Sequence, residues 1–249
     1  MRIAALYDIH GNLPALEAVL AEVQRAGVDR VVVGGDVLPG PMPRETLACL
    51  LELSTPVEFL RGNGEAAVLA QMAGRELGKL PEQAREAVQW VAKQLHPADE
   101  RLIASWPPTL RVAIEGLGDV LFCHATPRSD TEVFTRLTPE ARLMPIFQGL
   151  DVPLVVCGHT HMQFDRAVDA TRVVNAGSVG MPFGGTGAYW LLLTPDVVLR
   201  RTRYDLPKAA ARIQSTSYPR ANDFAQRNVL QPPSETEILA LYSRVELHE

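Results

Sequence analysis

The chain has 249 residues, of which 47% are apolar and 21% charged, with a formal net charge of -5. That length and apolar content suffice for a core, which excludes a disordered chain, and the acidic balance argues against a nucleic-acid partner. No window approaches the ~18 uninterrupted apolar residues of a membrane-spanning helix.

The N-terminal Met1-Arg2-Ile3-Ala4-Ala5-Leu6-Tyr7-Asp8 reaches an acid too soon for a secretory signal, so the expected location is cytoplasmic, with no membrane partner. Residues 2–7 read as an apolar strand. Asn12 is placed to cap a helix opening at Leu13-Pro14, with Leu16, Val19, Leu20 and Val23 inward and Gly27 ending it. Residues 30–33 form a second strand, stopped by Gly34-Gly35. Pro43 opens a second helix, and 57–60 is a third strand, stopped by Arg61-Gly62-Asn63-Gly64. A β-α-β-α-β order implies a parallel sheet covered by helices.

Residues 65–105 break the rhythm with helices at 65–73, 81–95 and 99–105. This helical insertion is either a lid or one outer helical layer. Strands return at 110–115 and 119–123, joined by a hairpin turn at Gly116-Leu117-Gly118. Thr138 is placed to cap a helix reaching 148. Strands at 153–157, 163–168, 172–174, 188–194 and 197–204 then read as a second, mixed or antiparallel sheet. The basic run Arg200-Arg201-Thr202-Arg203 falls in the last of these and reads as a solvated strand face. Helices at 205–214, 222–230 and 234–247 end the chain.

Cys49, Cys123 and Cys157 form no CxxC pair, which argues against a disulfide framework or a cysteine zinc site. The histidines carry more. Five polar segments each follow a predicted strand: Asp8-Ile9-His10, Gly35-Asp36, Gly62-Asn63-Gly64-Glu65, Cys123-His124 and Gly158-His159-Thr160-His161. Ligands bind at the carboxyl ends of strands in open α/β sheets, so the five converge. Singly, each is an ordinary turn, helix start or satisfied histidine. Together they form a ligand set of oxygens and imidazoles that suits manganese, iron, zinc or nickel. Seven such groups exceed the needs of one tetrahedral zinc, and two divalent ions use them economically.

In this order the motifs resemble the calcineurin-like metallophosphoesterase superfamily, whose pattern runs Asp-x-His, Gly-Asp, Gly-Asn-His-Glu/Asp, His and Gly-His-x-His. Asn175-Ala176-Gly177-Ser178 is similar to the Asn-x-Gly-Ser loop of its small prokaryotic phosphodiesterase-like branch. The resemblance implies a four-layer α/β/β/α fold. It divides the chain into a catalytic domain at 1–204, with the insertion at 65–105, and a C-terminal helical extension at 205–249. It implies that Asp8, His10 and His161 hold one metal, that Asn63, His124 and His159 hold the other, and that Asp36 bridges them. Asp36, Asn63 and His124 are then the catalytic set. Manganese is the favoured metal. A bridging hydroxide would attack phosphorus in a small phosphorylated substrate, a diester before a monoester.

One position departs from the pattern. Gly64 stands where the family carries a histidine viewed as proton donor to the leaving group. Without it, either another acid serves or the substrates have stable leaving groups. The resemblance makes Glu65 a group that orients a metal-ligand histidine, and an acid at a helix N-terminus reads equally well. Asn12 and Asn175 are supporting or substrate-loop candidates. His96, in the insertion, reads as a surface residue. The competing class is a scaffold or regulatory protein that keeps the fold without the chemistry. Homo-oligomerisation stays open.

Overall fold

The computed structural model describes residues 1–78, 80–245 and 247. Its first half runs β1 (Ile3–Leu6), α1 (Leu13–Ala26), β2 (Arg30–Val33), α2 (Pro43–Leu51) and β3 (Val57–Phe59). Helices α3 (Asn63–Met72), α4 (Glu82–Gln94) and α5 (Pro97–Ala104) follow. Next come β4 (Thr109–Ile114), β5 (Gly118–Cys123), α6 (Glu140–Phe147) and β6 (Leu154–Cys157). Then come β7 (Phe164–Val168), β8 (Thr171–Asn175), β9 (Ala188–Leu193) and β10 (Val197–Thr202). After α7 (Leu206–Gln214), α8 (Ala221–Phe224) runs directly into a π-helical segment (Ala225–Leu230), and α9 (Glu235–Tyr242) follows.

The strands form two five-stranded mixed sheets, ordered β10-β9-β1-β2-β3 and β4-β5-β6-β8-β7. Strand alternation builds the layers. Ile3, Ala5, Tyr7 and Val32 face Phe122, Leu154, Val156 and Val174 in a core between the sheets. Ala4, Leu6, Val31 and Val33 turn the other way, under α1, α2, the insertion helices α3 to α5, α7, α8 and the π-helical segment. Cys123, Val155 and Val173 lie under α6, packed on Leu143, Ile146 and Phe147. The result is the expected four layers, α/β/β/α.

Four expectations change. β9 and β10 do not join the second sheet. β9 pairs antiparallel with β1, Ile3 opposite Leu193, and β10 pairs with β9, so the first sheet is mixed rather than parallel. The cause is two-sided burial: Trp190 and Leu192 enter the helix-side core while Leu191 and Leu193 enter the core between the sheets. Thr138 does not cap α6. Its hydroxyl accepts the Thr135 N–H at 2.8 Å, and Pro139 occupies the cap position without a side-chain bond. The Asn63-Gly64 turn is instead the first turn of α3. The last helix ends at Tyr242 rather than 247, and residue 246 lies outside the described residues. By contrast, Asn12 caps α1 as expected, Gly27 ends it at φ 60°, and Arg200 and Arg201 lie exposed over Trp190 and Tyr189.

Candidate metal centre

Beyond the ends of β1 and β2 the two loops keep pairing. Asp8 N–H donates to the Gly35 carbonyl at 3.1 Å and His10 N–H to that of Asp36 at 2.8 Å. Across the sheets, Gly158 N–H donates to the His124 carbonyl at 2.8 Å. These bonds gather Asp8, His10, Asp36, Asn63, His124, His159 and His161 at one end of both sheets. Gly158 has no alternative there: a Cβ would lie 2.5 Å from Asp8 Oδ2 and from the Tyr7 ring. Among the described residues two groups bring their ligand atoms within 4.8 Å of one another: Asp8, His10 and His161, and Asp8, Asp36 and His124.

Each of three imidazoles is oriented by a backbone carbonyl. His10 Nδ1 meets Pro39 O at 3.1 Å, His124 Nδ1 meets Gly34 O at 2.9 Å, and His161 Nδ1 meets Met181 O at 2.8 Å. A carbonyl only accepts, so each Nδ1 carries its proton and each Nε2 turns inward. Three consequences follow. His10 Nε2 and His161 Nε2 stand 3.2 Å apart. His124 Nε2 stands 2.9 Å from Asn63 Oδ1. Buried Asp8 Oδ1 has no hydrogen-bond partner, yet lies 3.3 Å from His161 Nε2 and 3.9 Å from those of His10 and His124. Acceptors facing one another at such distances need a proton or a cation between them. The donor set is carboxylate, amide oxygen and imidazole, which fits a divalent transition metal. Asp8 belongs to both groups, and Asp36 Oδ2 lies 3.8 Å from His10 Nε2 and 3.7 Å from His124 Nε2, within reach of a histidine of each.

The electrostatics agree. Burial opposes the Asp8 charge, but His161, His124 and His10 outweigh it and hold its carboxyl below the usual carboxylate range. Burial also opposes a charged His124, but Asp36 and Asp8 push it up. Burial wins at His10, which is lowered, and at His159, pushed down to about 4. Neutral imidazole is the form that ligates metal. The His159 backbone N–H donates to Asp8 Oδ2 at 2.8 Å, and its ring lies 5.1 Å from that of His124.

Of the two readings of Glu65, the structure takes the acid at a helix N-terminus, in the first turn of α3. Among the described residues its hydrogen-bond partners are backbone N–H groups rather than a histidine. Its buried carboxylate accepts the N–H groups of Asp36 and Val37, both at 2.7 Å, of Leu38 at 3.2 Å and of Gly62 at 3.0 Å. It therefore shapes the loop carrying Asp36. Burial and the Asp36 charge push it up to about 7 against those donors. Asn175 donates to the Gly158 carbonyl at 2.6 Å and Thr160 Oγ1 at 3.1 Å, bracing the His-Thr-His turn. Asn12 donates to Gly180 O at 2.9 Å and caps α1. Ser178 Oγ donates to the Asp8 carbonyl at 2.7 Å. Phe183, stacked on His161 at 5.1 Å and 22°, carried no sequence signal. His96 is exposed at the start of α5.

The calcineurin-like phosphoesterase superfamily domain matches residues 1–196. The chain belongs to this superfamily. The metallophosphoesterase of Sphaerobacter thermophilus is 27% identical to this chain, with a TM-score of 0.71 over 91% of this chain and 97% of that one. The hypothetical protein PH1004 of Pyrococcus horikoshii shares the fold at a TM-score of 0.79 and 18% identity, over 93% of this chain and 99% of that one. The uncharacterized protein MJ0912 of Methanocaldococcus jannaschii is 27% identical over 87% of this chain and 93% of its own length. No helix among the described residues is long and apolar enough to cross a membrane.

Proposed function

We propose that the protein is a dinuclear metal-dependent phosphodiesterase. Residues 1–204 are its catalytic unit, with the 65–105 insertion and the 205–249 extension packed on it. Asp8, His10 and His161 would hold one ion, Asn63, His124 and His159 the other, and Asp36 would be shared by both. The carrying observation is the orphaned Asp8 oxygen facing three inward-turned imidazole nitrogens. Two divalent ions, manganese before iron, nickel or zinc, would supply positive charge for the phosphate and a water acidified toward pKa ~7.

The chain's own residues orient and hold. The Gly34, Pro39 and Met181 carbonyls fix the three rings. The Gly64 N–H holds Asp36 Oδ1 at 2.7 Å, leaving Oδ2 toward the histidines. Gly64 itself offers no side chain to protonate a leaving oxygen. Two cavities flank the cluster, of about 480 Å³ on the His10 and Asn63 side and about 410 Å³ on the His124 and Arg61 side. A diester has two arms and a monoester one, which favours the diester.

The test is purified protein with manganese, nickel, zinc, iron or chelator against bis(4-nitrophenyl) phosphate and 4-nitrophenyl phosphate. The expected result is chelator-sensitive turnover, faster on the diester, with log rate falling as leaving-group pKa rises. Chelator-resistant turnover overturns the metal reading, and faster monoester turnover overturns the diester preference. A flat leaving-group plot, with chemistry rate-limiting, means that an acid acts after all.

A further inference from the structure

The larger cavity extends the metal centre into parts of the chain that the cluster does not use. His10, Asp36, Asn63 and Gly64 form its floor. Its walls come from elsewhere. Ala84, Ala87 and Val88 of α4 line one side. Phe183, Tyr218 and Phe224 line another, the last two from beyond residue 196, where the match to the superfamily ends. Its volume of about 480 Å³ is within the ~300–1,000 Å³ of small-molecule sites.

The rings are held before anything binds. Tyr218 stands edge-on to Trp90 at 5.3 Å and to Phe224 at 6.2 Å. Phe183 is fixed on His161. Rings locked by packing cost little further entropy when they receive a ligand. The alanines opposite leave the space open. Polar groups complete the lining: Arg220, paired with Asp223, and exposed Arg227 and half-buried Asn228 on the π-helical segment. A π-helical turn shifts side chains off the α-helical register, a device frequent at functional sites. Against Ala84, Ala87, Phe183, Tyr218 and Phe224, an anionic arm would lose its hydration to residues that offer no charge, whereas a flat ring would not.

We propose that this cavity receives one ester arm of the substrate, and that this arm is a flat, uncharged aromatic group. The inference rests on the phosphodiesterase reading, because the floor of the cavity is the proposed metal centre. It assigns α4 and the C-terminal extension a role in substrate choice.

Manganese-loaded protein titrated calorimetrically with phenylphosphonate and methylphosphonate tests it, since the head group is shared and only the arm differs. The phenyl compound should bind about 10–200-fold more tightly, the range that small hydrophobic contacts command. Ala84→Leu, which fills the open side, should shrink that ratio severalfold. Equal affinities, or no binding of either compound, overturn the inference. So does an unchanged ratio in a folded Ala84→Leu protein. If that variant fails to fold, the wild-type ratio decides. Hydrolysis of bis(4-nitrophenyl) phosphate, followed separately, keeps the two readings apart. Metal-dependent turnover with equal phosphonate affinities sinks only the aromatic arm, whereas tight phenyl binding without turnover sinks the phosphodiesterase reading.

Discussion

Among the described residues, seven other than glycine have positive φ, and five of them are Asp8, His10, Asp36, His159 and His161, with φ between 49° and 66°. Left-handed backbone costs of order 1–3 kcal/mol per residue unless the surroundings impose it. Asp and His tolerate it better than most side chains. Here Glu65, Asn175 and Ser178 impose it by bonding the same loops. Asp36→Asn keeps that tolerance and the bond from Gly64, so the melting temperature should stay within a few degrees. Turnover should fall by ~10²–10³ or more, as for lost electrostatic stabilisation elsewhere. Circular dichroism melts and diester assays check both halves. Glu65→Gln replaces one acceptor oxygen with an NH₂ that faces backbone donors. It should lower stability by about 1–3 kcal/mol in urea denaturation. Gly64 is decided by space. Its φ is not positive, but a Cβ would meet Pro39 Cγ at 2.5 Å and Asp36 Oδ1 at 2.7 Å. Gly64→Ala should therefore displace Asp36 and weaken manganese affinity at least tenfold by calorimetry. Restoring a histidine there meets the same obstacle.

At the scale of elements, the turn after β6 carries two of the proposed ligands, His159 and His161. It is braced by Asn175 at the end of the neighbouring β8, which pairs Cys157 with Asn175 in parallel register. Asn175→Ala removes the bonds to Gly158 and Thr160 and frees the Gly177 N–H, which Asn175 Oδ1 accepts at 2.8 Å. All of these groups are buried, so the expected loss is about 1–3 kcal/mol of stability together with weaker manganese binding. Denaturant unfolding and metal titration on the same sample separate the two effects. The insertion forms the expected outer helical layer, and α4 also borders the cavity. Val88, Val91, Leu95, Ile103 and Trp106 pack in the helix-side core, and Ala84, Ala87 and Val88 of α4 line the cavity.

Over the whole molecule, metal and fold are linked. The ligand atoms that face one another without a cation raise the energy of the metal-free protein. Manganese at 100 times its dissociation constant should add ~2.7 kcal/mol and raise the melting temperature, and chelator should reverse this. Removal of residues 205–249 should leave a chain that does not fold alone. Ala209, Ala210, Ile213, Phe224 and Val229 bury in the helix-side core, and their loss exposes its apolar surface. Proton chemical-shift dispersion of the truncated chain checks this. The order of strands and helices, the caps at Asn12 and Gly27 and the polar residues at the strand ends were legible in the sequence. These signals are local: a period of two or 3.6, a capping side chain, a glycine, a short motif. The tertiary structure alone decided that β9 returns to β1, that Glu65 serves the backbone of the Asp36 loop, and that Gly64 is small because Asp36 and Pro39 occupy its space. It also brought α4 and the π-helical segment to one cavity. Those outcomes depend on contacts between residues far apart in the chain, for which no local pattern exists.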